Sequence, residues 1–138
     1  MNIRLLILTM LIATPCLAAE YGPYDFTVSS VYDGDTIKGS ASVWPGLSQF
    51  ISIRVNGIDT PELRTKNKCE KRLGLVAKQA LIDYIANKKV VISNVKLGKY
   101  AGRVLADISV DGEDVASYMI KNGYARRYDG GKRLGWCR

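Results

Sequence analysis

"YDFTVSSVYDGDTIKGSASV", running from Tyr24 to Val43, decides how the chain folds. β-Branched and aromatic residues alternate roughly with polar ones on both sides of Asp33-Gly34. An Asp-Gly pair between two such runs is a strong hairpin signal, so the stretch predicts two antiparallel strands. Asp35, beside the turn, reads on its own as a solvated turn residue.

Toward the C-terminus, "WPGLSQ" breaks the chain and "FISIRVNGI" predicts a third strand. In that strand Ile51, Ile53 and Val55 share one face, while Ser52, Arg54 and Asn56 share the other. From about Lys68 to Asn87 the period changes, because Leu73, Val76, Ala77, Ala80, Leu81, Tyr84 and Ile85 recur at three- and four-residue steps. This pattern predicts an amphipathic helix. "KKVVISNVK" and "RVLADISV" then read as two more strands joined by "LGKYAG". Asp111-Gly112 turns the chain into a short helix from Asp114 to Asn122, which Gly123 is placed to end. Five strands with this little helix predict a mainly β fold with α elements (α+β). The expected form is a five-stranded OB-type barrel with two to three packed helices, a frequent binder of single-stranded nucleic acid and oligosaccharide. The tail "ARRYDGGKRLGWCR" holds too many glycines for a helix to be assigned.

Toward the N-terminus, "MNIRLLILTMLIATPCLAAE" has one early cation, Arg4, then an apolar run and small residues. It reads as a signal peptide covering residues 1–18, cut after Ala18, and the apolar run is too short to span a membrane as a helix. Pro15 before Cys16 argues against a lipoprotein anchor. Residues 19–138 then form one domain of a periplasmic or secreted protein. The whole chain carries a formal +7, and removal of Arg4 with the leader leaves +6. So basic an exported domain suits a polyanion, a membrane surface or a cell-wall polymer, although charge also serves solubility alone. Cys69 and Cys137 remain after cleavage, and in an oxidising compartment a disulfide is favoured over two buried thiols. There is no histidine, which excludes Ser-His-Asp and Cys-His pairs, histidine bases and histidine-bearing zinc sites. Chemistry here rests on carboxylates, cations, hydroxyls or an oxygen-held metal.

Three stretches could supply it. In "IRVNGIDTPEL", Thr60-Pro61-Glu62 has the composition of a helix start, but helical periodicity begins later, so the segment reads as a loop. Thr60, ahead of a proline, is biased to extended dihedrals, and its carbonyl and the Asp59 carboxylate can face one cation. With Asp35 this makes an all-oxygen set suited to Ca²⁺ or Mg²⁺, and Glu62 stands close enough to orient or deprotonate a water. In "GKYAGR", Lys99, Tyr100 and Arg103 combine a point charge, an aromatic face and a planar guanidinium. Together they have the means to hold a phosphate with its nucleoside, although cations in a turn are ordinarily solvated.

"DGDT", "IRVNGIDTPE" and "KYAGR", in this order, closely resemble the staphylococcal nuclease family of thermonucleases from about Phe26 to Tyr128. The resemblance implies an OB-fold barrel and Ca²⁺-dependent cleavage of DNA and RNA that leaves 3′-phosphates. It makes Asp35, Asp59 and the Thr60 carbonyl the Ca²⁺ ligands. Arg54, Glu62 and Arg103 match the catalytic side chains, and Lys99 and Tyr100 match contacts to a bound nucleotide. Two departures concern "KYAGR", which has one residue more than the family's usual "KYGR", and Gly98, which stands where an acidic residue is common. A third is the short tail, which Cys137 would staple to Cys69 in place of a longer third helix. The expected protein is a monomer with little sequence preference. The alternative is a silent OB-fold module that binds nucleic acid without cleaving it, and an oligosaccharide binder is a more distant rival.

Overall fold

The computed structural model describes residues 21–100 and 102–137. In chain order the elements are β1 (Tyr24–Asp33), β2 (Thr36–Trp44), β3 (Leu47–Val55), β4 (Ile58–Asp59), α1 (Lys68–Ile85) and β5 (Val90–Leu97). They continue with β6 (Arg103–Val110), β7 (Glu113–Asp114), α2 (Val115–Lys121) and β8 (Arg126–Arg127). The signal peptide expected at residues 1–18 lies outside the described residues. Among those described, no helix is long and apolar enough to cross a membrane.

Five long strands pair in the order β3-β2-β1-β5-β6, and parallel pairing of β6 with β3 closes them into a barrel. The alternation expected of half-buried strands is cleanest in β6, where Val104, Ala106, Ile108 and Val110 are buried and the residues between them are not. These meet Phe26, Ile37, Ile53, Val55 and Ile92 in one core. Closing five strands requires tight curvature, and register shifts in β1 at Val28/Ser30 and Val31/Asp33 mark where that strand bends.

The hairpin differs in one detail from the sequence reading. Asp33 pairs with Thr36, so Gly34 and Asp35 form the turn and Asp33 ends the strand. Packing explains the shift. A Cβ on Gly34 would stand 2.8 Å from the Ala77 Cβ and 3.0 Å from the Thr60 side chain, so only glycine lets the turn press against α1 and the loop after β4.

Asn67 caps α1, its side chain accepting from the Cys69 and Glu70 amides at 2.9 and 3.2 Å. Thr60-Pro61-Glu62 lies in irregular chain, as its lack of periodicity suggested. The buried face of α1 is Gly74, Ala77, Leu81, Tyr84 and Ile85, whereas Leu73 and Val76, expected inside, are exposed. Small residues occupy the N-terminal part of the inner face because the backbone there is close: a Cβ on Gly74 would meet the Pro61 carbonyl at 2.8 Å. Asp114 caps α2 through the Ser117 amide at 2.8 Å, and the Tyr118 ring stacks on Tyr84 at 3.7 Å. Two helices are thus present among the described residues. The tail leaves α2 as extended chain, and β8 pairs with β4, placing Arg126 opposite Asp59 and Arg127 opposite Ile58.

Candidate active site

Barrel closure sets the site's geometry. Thr36 of β2, Arg54 of β3 and Leu105 of β6 stand in register, as do Ser52 and Arg103. Because side chains alternate along a strand, Arg54 and Arg103 both project from the outer face of neighbouring parallel strands, away from Ile53, Val55 and Val104.

Beneath Arg54 lie two fully buried carboxylates, Asp35 and Asp59, which are 1% and 0% exposed. Asp35 Oδ1 accepts from Arg54 Nη1 at 2.8 Å and from the Thr36 hydroxyl at 3.0 Å, and its Oδ2 accepts from the Thr60 amide at 3.2 Å. Burial pushes the Asp35 carboxyl up to about 7, with the charge of Asp33 adding to the effect and that of Arg54 only partly offsetting it. Asp59 Oδ2 accepts from Arg126 Nη2 at 2.9 Å. Its Oδ1 has Arg133 Nη2 at 2.5 Å and Arg54 Nη2 at 3.7 Å, yet no donor reaches it in hydrogen-bonding geometry. The Thr60 carbonyl accepts from Arg133 Nη2 at 3.0 Å, and Glu62 Oε1 from Arg133 Nη1. Partial burial works against the Arg133 charge, but the bond to Glu62 and the charges of Asp59 and Glu62 outweigh it and raise its pKa.

A cleft of about 510 Å³ opens over this network, lined among others by Arg54, Glu62, Lys99, Tyr100, Arg103 and Arg133. The Arg103 guanidinium lies over the Tyr100 ring, 5.3 Å from its centre. Asp35, Asp59 and Thr60 are absent from the cleft wall, since the guanidiniums of Arg54 and Arg133 stand against them. The loop departure at Gly98 has a steric cause: a Cβ there would meet the Arg103 carbonyl at 2.4 Å, and the Gly98 amide donates to that same oxygen at 3.0 Å. At Gly98 the backbone lies so close to the Arg103 carbonyl that no side chain fits.

The eight residues singled out in the sequence therefore converge. Asp35, Arg54, Asp59, Thr60 and Glu62 form one polar network, and Lys99, Tyr100 and Arg103 share the cleft above it. Among the described residues no group of three or more His, Cys, Asp or Glu side chains is placed to hold a metal. The available set is two carboxylates and a main-chain carbonyl. All-oxygen and anionic, with one buried oxygen lacking a donor, it fits a hard cation whose remaining positions are filled by water.

Sequence reading missed Arg126 and Arg133. Both come from the tail, which Cys137 brings to the first turn of α1: the Cys69 and Cys137 Cα atoms are 6.2 Å apart and their sulfurs at bonding distance. The available signal was that pairing, because anything four residues before Cys137 must then lie near Glu62 and the start of α1.

A family model described as "Staphylococcal nuclease homologue" matches residues 52–133. The "SPbeta prophage-derived endonuclease YokF" of Bacillus subtilis (strain 168) is 32% identical over 105 residues, covering 74% of this chain and 33% of that protein. "Endonuclease YncB" of the same organism is 32% identical over 103 residues, covering 72% of this chain and 46% of its own length. This chain spans less than half the length of either relative.

Proposed function

The chain belongs to the staphylococcal nuclease homologue family, and we propose that it is an exported, calcium-dependent nuclease. It hydrolyses phosphodiester bonds of DNA and RNA, leaving 3′-phosphates. The observation that carries this reading is the gathering of Arg54, Arg103 and Glu62 around one cleft directly above the buried Asp35–Asp59 pair.

Hydroxide attack on a phosphodiester brings an anion to an anion and builds further charge at phosphorus, so the catalysis required is mostly electrostatic. Arg54 and Arg103, on adjacent strands and lining one cleft, would each donate paired N–H bonds to the phosphate oxygens as that charge develops. Arginine stays protonated and makes a poor proton acceptor. Glu62, a carboxylate lining the cleft that Arg133 holds in this structure, would accept the hydrogen bond or the proton of the attacking water. The water oxygen bonds to phosphorus, the P–O5′ bond breaks, and O5′ leaves, taking a proton from solvent water in the open cleft to become the 5′-hydroxyl. Lys99 and Tyr100 hold the neighbouring phosphate and base, and a stacking face accepts any base. Asp35, Asp59 and the Thr60 carbonyl are the residues that would hold Ca²⁺, which when bound supplies positive charge to the phosphate and acidifies water. Removal of the leader after Ala18, export to an oxidising compartment, a Cys69–Cys137 disulfide and a monomeric state complete the proposal.

Cleavage of single-stranded DNA by the mature protein at mildly alkaline pH, with Ca²⁺ added and then chelated, tests the reading. Cleavage that starts with Ca²⁺ and stops with chelator is expected. Salt-sensitive binding without cleavage would instead identify a silent nucleic-acid-binding module.

A further inference from the structure

Arg133 contacts two of the three oxygen donors assigned to the cation, together with the carboxylate assigned to the water. Its Nη2 is 2.5 Å from Asp59 Oδ1 and 3.0 Å from the Thr60 carbonyl oxygen, and its Nη1 bonds Glu62. Calcium–oxygen distances are about 2.3–2.6 Å, so a Ca²⁺ ion bound to Asp59 and Thr60 would occupy the space that Nη2 fills. Two cations cannot share it.

The guanidinium is delivered by a strap pinned at both ends. Upstream, the Tyr128 amide donates to the Gly57 carbonyl at 3.0 Å. Downstream, Arg126 donates to the Gly135 carbonyl at 3.2 Å and lies 4.3 Å over the Trp136 ring, and Cys137 meets Cys69. Between these anchors residues 129–135 are exposed, and the Arg133 side chain reaches inward to the buried pair. A group tethered over so short a segment competes at a high effective concentration.

We propose that Arg133 is a resident competitor for the cation: its guanidinium fills the Asp59–Thr60–Glu62 corner, and it must swing out for Ca²⁺ to bind. Vacating the corner also frees Glu62 for water, so metal loading and release of the carboxylate are one event. This inference rests on the calcium reading above.

Calorimetric Ca²⁺ binding to the mature protein tests it without reference to activity. Arg133→Gln is expected to bind Ca²⁺ at least about tenfold more tightly than wild type. Lys132→Gln, the same charge change one residue away on the exposed strap, is expected to leave affinity within about twofold. Replacing Cys69 and Cys137 together by serine loosens the tether and should tighten binding by a smaller factor, which carries the test should Arg133→Gln fail to fold. Wild type that binds Ca²⁺ with Arg133→Gln no tighter, or with Lys132→Gln tightening it equally, overturns the competition and leaves the calcium reading standing. Folded wild type and variants that all fail to bind Ca²⁺ overturn both. Binding gained only in Arg133→Gln supports the competition in its strongest form.

Discussion

Asp35 is a carboxyl group buried at 1% exposure with Arg54 as its charge partner, and burial outweighs that partner. Its carboxyl is raised from 3.8 to about 7, so the fold favours the protonated form. Below about pH 4 both folded and unfolded chains hold the proton and nothing is lost. Between about 4 and 7 the unfolded chain releases it first, and stability falls as pH rises; above 7 the full cost is present. In chelator, Asp35→Asn is therefore expected to melt higher than wild type at pH 8 and close to it at pH 4, while cleavage is lost. A lower melting temperature for the variant at pH 8 would contradict the burial argument. Arg103 is different, since it lines an open cleft and its guanidinium lies over exposed Tyr100. Arg103→Ala is expected to keep the wild-type melting temperature within a few degrees and to lose on the order of 10² in cleavage rate. Near-full activity would remove Arg103 from the assigned machinery.

At the scale of elements, the proposed cleavage depends on how β6 begins. The loop from Leu97 to Arg103 holds its last residue through two close contacts, Gly98 N–H to the Arg103 carbonyl and Arg103 N–H to the Tyr100 carbonyl at 3.3 Å. Gly98→Ala places a Cβ where the Arg103 carbonyl stands, and the start of β6 must move. Displacement of a catalytic group by about 1 Å can cost on the order of 10² in rate, so a loss of about 10- to 100-fold is expected in steady-state cleavage. The melting temperature should change far less, because the core residues of β6 from Val104 onward are held by β3 and β5. A fully active Gly98→Ala would show that the loop does not position Arg103.

For the whole molecule, the Cys69–Cys137 pairing closes a span of 68 residues. In the chain-entropy model a link of that span stabilises the folded state by roughly 4 kcal/mol. It joins the start of α1 to the end of a strap that crosses the site, so its loss affects both stability and the placement of Arg126 and Arg133. Thiol titration of the unfolded, unreduced mature protein is expected to find no free thiol. Denaturant unfolding after reduction should show stability lower by about 4 kcal/mol. Two titratable thiols before reduction would remove the staple.

By itself the sequence determined the features whose causes are local. Alternation in Tyr24–Val43 and Phe50–Ile58, and the β-branched and apolar runs of Lys88–Lys96 and Arg103–Val110, marked the strands, because a half-buried strand places every second residue in one environment. Asp59, the Thr60 carbonyl, Glu62, Lys99, Tyr100 and Arg103 were legible as candidate chemistry from their residue types. Asp35 read alone as a turn residue and joined them only beside Asp59, and the catalytic role of Arg54 came from the family resemblance alone. Tertiary structure decided what depends on approach between distant segments. Closeness of α1 to Gly34 and Pro61 turned Gly74 and Ala77 inward in place of Leu73 and Val76. Parallel closure of β6 on β3 set Arg54 beside Arg103. Pairing of β8 with β4 and of Cys137 with Cys69 brought Arg126 and Arg133 onto a carboxylate more than sixty residues earlier in the chain. No local period encodes such a contact, because its energy comes from a buried charge finding its counter-charge only after the barrel has closed.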